Sequence, residues 1–122
     1  MKTLLVVEDN LVEREGLATL LRREGYKVAL AAGGIEGLDL LLKYKPDLIL
    51  LDMLMQDGDG WRFLEQRRRY PECQNIPAIL VTGLPVACEP WAETLGVVGL
   101  VKKPVDLDQL LEMVRDGCGD AD

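Results

Sequence analysis

Five short apolar runs, at residues 3–7, 27–31, 47–51, 78–81 and 97–101, alternate with segments whose leucines recur at helical spacing. This alternation limits the fold sharply. A run of Leu, Ile and Val bounded by Gly, Pro or charge reads as a buried strand, and a strand followed by an amphipathic helix returns to a parallel neighbour. The helical segments carry Leu17, Leu20 and Leu21, then Leu38, Leu41 and Leu42, then Phe63 and Leu64. A shorter one follows over residues 90–95, and the last holds Leu107, Leu110, Leu111 and Val114. Asn10 is placed to cap the first helix and Gly25 to end it, while Gly34, Asp59 and Asp106 precede later ones. Five βα units with right-handed crossovers predict a doubly wound α/β domain, its five-stranded parallel sheet in the flavodoxin-like order 2-1-3-4-5. A chain of 122 residues suits one such domain over residues 1–122, with residues 117–122 expected to fray.

The apolar runs end in unexpected chemistry. "TLLVVEDN" carries the first strand into Glu8 and Asp9, and "DLILLDM" carries the third into Asp52. In doubly wound sheets ligands bind beyond the carboxyl ends of the strands where the winding reverses, which for this order lies between strands 1 and 3. The three acids therefore meet there. Carboxylates so close repel one another and need a proton or a cation, and a hard divalent ion such as Mg²⁺ takes oxygen ligands readily. "ILVTG" brings the hydroxyl of Thr82 to the same rim, and "LVKKP" brings a lysine. A cation, a hydroxyl and an ammonium can hold the outer oxygens of a phosphoryl group while a carboxylate attacks its phosphorus. Asp52 is the expected nucleophile.

Composition removes other chemistries. The chain has no histidine, which excludes Ser-His-Asp and Cys-His catalysis and any phosphohistidine of its own. Its formal charge of -7 argues against direct binding of nucleic acid by this domain. Cys73, Cys88 and Cys118 are odd in number and lack C-x-x-C spacing, so neither disulfides nor a zinc ribbon is expected. The first residues lack a signal-peptide pattern and no uncharged stretch could span a bilayer, so a cytoplasmic address and no membrane contact are expected.

The ordered segments "VVEDN", "LILLDMLMQDGDG", "ILVTG" and "VKKP" resemble those of the receiver domains of two-component response regulators over nearly the whole chain. The resemblance implies Glu8, Asp9 and Asp52 as Mg²⁺ or Mn²⁺ ligands, with the backbone carbonyl of Leu54. It implies Asp52 as phosphoacceptor, Thr82 as switch hydroxyl and Lys103, directly before Pro104, as phosphate-contacting lysine, with a cis Lys103–Pro104 bond. The partners it implies are a sensor histidine kinase or histidine phosphotransfer protein and an output protein or effector domain. Beyond assisting its own metal-dependent phosphorylation and at most a slow dephosphorylation, no enzyme activity is implied. Three departures stand out: Gln56 replaces a frequent proline, Leu100 takes the place of the aromatic switch residue, and Leu54 and Leu84 lack the polar groups that orient hydrolytic water. The first two keep open an alternative, a pseudo-receiver acting as a constitutive interaction module without phosphoswitching.

Other motifs read more plainly. "AGGIEG" at residues 32–37 lacks the first glycine of a dinucleotide fingerprint, "DGDG" at 57–60 fails the calcium-loop pattern at Met55, and no phosphate loop of the ATPase type occurs. A flavin domain of this architecture would need a phosphate loop where Glu8 and Asp9 stand. Lys102 and the "RRR" at 67–69 are expected to be solvated, the arginines at a helix end that tolerates cations. Trp61 is expected to pack its helix on the sheet, while Trp91 is open to either packing or a partner surface.

Overall fold

A computed structural model describes residues 1–55 and 60–122. Its elements are β1 (Thr3–Val7), α1 (Leu11–Arg23), β2 (Lys27–Ala31), α2 (Gly34–Tyr44), β3 (Leu48–Leu51), α3 (Gly60–Arg68), β4 (Ala78–Thr82), α4 (Glu89–Thr94), β5 (Gly99–Lys102) and α5 (Leu107–Cys118). All five strands are parallel, in the order β2-β1-β3-β4-β5. The expected order is therefore the one observed. Gln56 and Asp59, and most of the "DGDG" segment, lie outside the described residues.

The alternation of side chains along each strand divides the core into two layers. Leu5, Val7, Ile49, Leu51, Ala78 and Leu80 face Leu41 of α2, Phe63 and Leu64 of α3 and Ala92 of α4. Leu4, Val6, Leu48, Leu50, Ile79 and Val81 face Leu17 and Leu21 of α1 and Leu110, Leu111 and Val114 of α5. Strands buried on both faces explain why their sequences are apolar throughout rather than alternating.

Asn10 caps α1 by accepting the Glu13 N–H at 2.9 Å, and Asp106 caps α5 by accepting the Gln109 N–H at 3.1 Å. Gly25 follows α1 at φ +96°, a conformation that suits glycine. Gly33 rather than Gly34 occupies the cap of α2, and β5 begins at Gly99 because Val97 and Val98 belong to the approach. Gly37 is closely packed, since a Cβ there would lie 3.0 Å from Val7 and 3.2 Å from Phe63 and would press on both side chains. Tight packing of α2 on β1 and α3 thus accounts for the last glycine of "AGGIEG".

Three further expectations are corrected. Trp61 does not pack α3 on the sheet: it is 38% exposed and meets Trp91 edge-on at 6.0 Å, because Phe63 and Leu64 occupy the sheet-facing side of α3. Arg67 is not solvated but buried, its guanidinium donating to the Ile76 carbonyl, so it ties α3 to the connection before β4. Arg68 reaches the Leu95 carbonyl at 2.8 Å, and Arg69 pairs with Glu65 on the surface. The last residues do not fray from 117: α5 runs to Cys118, the Lys2 N–H donates to the Ala121 carbonyl at 2.7 Å, and the Tyr26 hydroxyl donates to Gly119. Backbone pairing with the start of the chain and burial of Ala121 hold that segment. Among the described residues no helix is long and apolar enough to cross a membrane.

Candidate functional site

β1 and β3 lie side by side with Val7 paired to Leu51, so Glu8 and Asp52 leave adjacent strands at one level. The Asp52 N–H donates to the Val7 carbonyl at 3.0 Å and the Glu8 N–H to the Ala31 carbonyl at 3.0 Å, which fixes both turns. Leu51 pairs with Leu80, placing Thr82 at the end of β4 one residue beyond the level of Asp52. Gly60 secures the far side of the acceptor turn: its N–H donates to the Met53 carbonyl at 2.9 Å, and a Cβ there would sit 2.8 Å from the Met53 Cα.

The predicted acids do come together. Glu8, Asp9 and Asp52 each offer an oxygen within 4.8 Å of the others. Lys103 follows β5, and its Nζ donates to Glu8 Oε1 at 2.7 Å, Glu13 Oε2 at 3.1 Å and Asp52 Oδ2 at 3.3 Å. Lys102 is exposed, so of the two consecutive lysines it is Lys103 that reaches the acids. The Lys103 N–H donates to the Thr82 carbonyl at 3.0 Å, and the Lys103–Pro104 peptide bond is cis. Thr82 is fully buried, and its hydroxyl accepts the Leu84 N–H at 3.2 Å. Asp52 Oδ1 accepts the Leu54 N–H at 3.3 Å, which orients the carboxylate. Leu54 is exposed at the rim, and Leu100 is buried in β5 without an aromatic ring.

Two participants were not anticipated. Arg14 donates to the carbonyls of Glu8 at 3.0 Å and Asp9 at 3.4 Å, bracing the acid turn from α1. Glu13 is a third acid on the Lys103 ammonium. Its three-residue distance from the cap Asn10 reads from sequence as a local capping pair, so nothing in sequence pointed across the sheet.

Burial pushes the Glu8 carboxyl up to about 7, against the lowering by its hydrogen bonds from Lys103 and the Asn10 N–H. Burial pushes the Lys103 ammonium down, but its hydrogen bonds to Glu8 and Glu13 and the charge of Asp52 together outweigh this and hold it above the usual lysine range. Since the folded Glu8 value exceeds its ordinary 4.5, the stability this group contributes is full below about 4.5 and is lost as pH rises through about 7. A cation bound by ionised carboxylates must displace that proton. Mg²⁺ affinity is therefore expected to weaken by up to about tenfold per pH unit below pH 7, measurable by calorimetric titration. Equal affinity at about pH 6 and pH 8 would count against a protonated Glu8.

The donor set fits a hard divalent cation, because all three side chains are carboxylates and one ammonium cannot neutralise them all. Fold and rim together define a doubly wound α/β domain with an acid, hydroxyl and ammonium cluster at its topological switch point. Residues 4–115 match the family of response regulator receiver domains, and the chain belongs to that family. It is 30% identical to the protein PilH of Pseudomonas aeruginosa over 116 residues, covering 94% of this chain and 96% of that one. It is 28% identical to the polar-differentiation response regulator DivK of Brucella anthropi over 121 residues, 98% of each. Among solved structures, chemotaxis protein CheY4 of Vibrio cholerae superposes with a TM-score of 0.86 at 26% identity, covering 96% of this chain and 98% of that one. The receiver domain of sensor histidine kinase PA1611 of P. aeruginosa superposes at 0.87 and 25% identity, with 98% of each chain covered, and holds a magnesium ion in its active site cleft.

Proposed function

We propose that this receiver domain is a phosphorylation-dependent signalling switch in which Asp52 accepts a phosphoryl group from a phosphohistidine on a sensor histidine kinase or histidine phosphotransfer protein. The observation that carries this reading is the convergence on one rim of Asp52, two further acids and the Lys103 ammonium, 3.3 Å from Asp52. An Asp52 carboxylate oxygen attacks phosphorus and the P–N bond breaks with its electron pair left on the imidazole nitrogen, giving an aspartyl phosphate. Glu8, Asp9, Asp52 and the main-chain carbonyl of Leu54 would hold Mg²⁺ or Mn²⁺, which supplies charge neutralisation to the phosphoryl oxygens. The magnesium in the PA1611 receiver supports that choice.

Lys103 takes one phosphoryl oxygen and the Thr82 hydroxyl donates to another, placing donors where negative charge is present in the transition state. Leu54 and Leu84 cannot orient an attacking water by hydrogen bonding, so self-hydrolysis is slow and the domain acts as a switch rather than a phosphatase. With Leu100 in place of an aromatic ring, the output rests on movement of the backbone after Thr82. The net charge favours protein partners over nucleic acid, in a cytoplasmic setting.

Exposure to acetyl phosphate and Mg²⁺ is expected to add one phosphoryl mass to the wild type and none to Asp52→Asn, read by intact mass spectrometry. Unchanged modification of the variant would assign the acceptor elsewhere. A wild type that takes no phosphoryl group would favour the constitutive interaction module.

A further inference from the structure

The resting arrangement around Lys103 contains one acid that the phosphoryl chemistry does not use. Glu13 is the third residue of α1, and three residues after a capping Asn10 its carboxylate would ordinarily turn back to the cap's N–H. Here the Asn10 N–H is already donated to Glu8 Oε2 at 3.2 Å. Glu13 instead crosses to Lys103, 3.1 Å away, while its own N–H stays fixed on Asn10 Oδ1.

An ammonium has three N–H donors, and among the described residues those of Lys103 go to Glu8, Glu13 and Asp52. A phosphoryl oxygen can reach Lys103 only by displacing one of them. Asp52 gives up its charge when it becomes the acyl phosphate, and Glu8 belongs to the acid cluster suited to a cation. Glu13 lies outside that cluster, keeps its charge throughout, and sits on the half-exposed outer side of the ammonium.

We propose that Glu13 is a positioning residue that acts as a brake: its carboxylate occupies Lys103 in the resting state and competes with the phosphoryl group for the ammonium. No proton moves in the exchange. Lys103 trades the Glu13 oxygen for a phosphoryl oxygen, and the Glu13 side chain is released to water as Asp52 is modified. This inference rests on the phosphoacceptor reading of Asp52.

The test uses the whole chain with Mg²⁺ and beryllofluoride, a non-covalent stand-in for the phosphoryl group, and compares wild type, Glu13→Gln and Glu15→Gln. Glu15 is exposed on the same helix, so its variant removes equal charge without touching Lys103. Glu13→Gln is expected to tighten beryllofluoride binding about three- to fivefold, the range for releasing a partly exposed ion pair, while Mg²⁺ affinity measured alone stays within about twofold. Glu15→Gln is expected to match wild type in both. Beryllofluoride affinity that is unchanged or weaker in Glu13→Gln, or raised equally in Glu15→Gln, would overturn the brake and leave the phosphoacceptor reading standing. A wild type that binds no beryllofluoride and gains no mass from acetyl phosphate would overturn both. Thermal unfolding of each variant within a few degrees of wild type confirms that folded proteins are being compared.

Discussion

Replacing Lys103 with methionine is expected to lower phosphoryl uptake from acetyl phosphate about 10²–10³-fold, the usual cost of removing one charge-stabilising donor from a transition state. The reason is local. Its ammonium lies 3.3 Å from the Asp52 carboxylate, where a phosphoryl oxygen would be held, and methionine keeps much of the apolar stem while removing the charge. A second effect should accompany the first. Without divalent cation, Glu8, Asp52 and Glu13 lose the ammonium they share, and Glu8 is 2% exposed, so water cannot replace it fully. Stability is then expected to fall by about 1–3 kcal/mol, less than for a fully buried pair because Lys103 is partly exposed. Mg²⁺ should restore much of that stability and little of the uptake rate, since a cation held by Glu8, Asp9 and Asp52 would answer the repulsion of the acids without supplying the hydrogen bonds of the ammonium. Melting curves with and without Mg²⁺, set beside intact-mass time courses, separate the two. Uptake within tenfold of wild type would remove Lys103 from the chemistry.

The largest effect on folding is expected from Phe63→Ala, a loss of about 3–5 kcal/mol. Phe63 is the only phenylalanine in the chain and is 1% exposed. It belongs to the same core layer as Val7, Leu41 and Leu51, close enough to α2 that a Cβ on Gly37 would lie 3.2 Å from its ring. Removing the ring leaves a cavity under the strand ends that carry Glu8 and Asp52, so the rim should loosen with the core. A fall in melting temperature on the order of 10–20 °C is expected. Trp61→Ala, two residues away on the exposed side of α3, is expected to cost under about 1 kcal/mol. Equal losses at the two positions would mean that the burial pattern of α3 is wrong.

The contrast between these two aromatic residues marks a boundary of sequence reading. Both are large and apolar, and that character alone suggested packing on the sheet for Trp61. Which side of a nine-residue helix faces inward depends on how that helix rolls against its neighbours, and the close approach of α2 to α3 at Gly37 decides it. Arg67 shows the same limit: a cation at a helix end is solvated by default, yet the chain that follows folds back so that the Ile76 carbonyl meets the guanidinium.

The sequence alone determined the parallel strand order and the meeting of Glu8, Asp9 and Asp52, because apolar period and strand-end position are properties of neighbouring residues and of a chirality rule that holds for every L-chain. Only the tertiary structure decided which partners the Lys103 ammonium has, that Glu13 turns away from its own cap, and that the closing residues are anchored beside β1. Those features depend on distances between elements far apart in the chain, and such distances are set by packing rather than by any local preference.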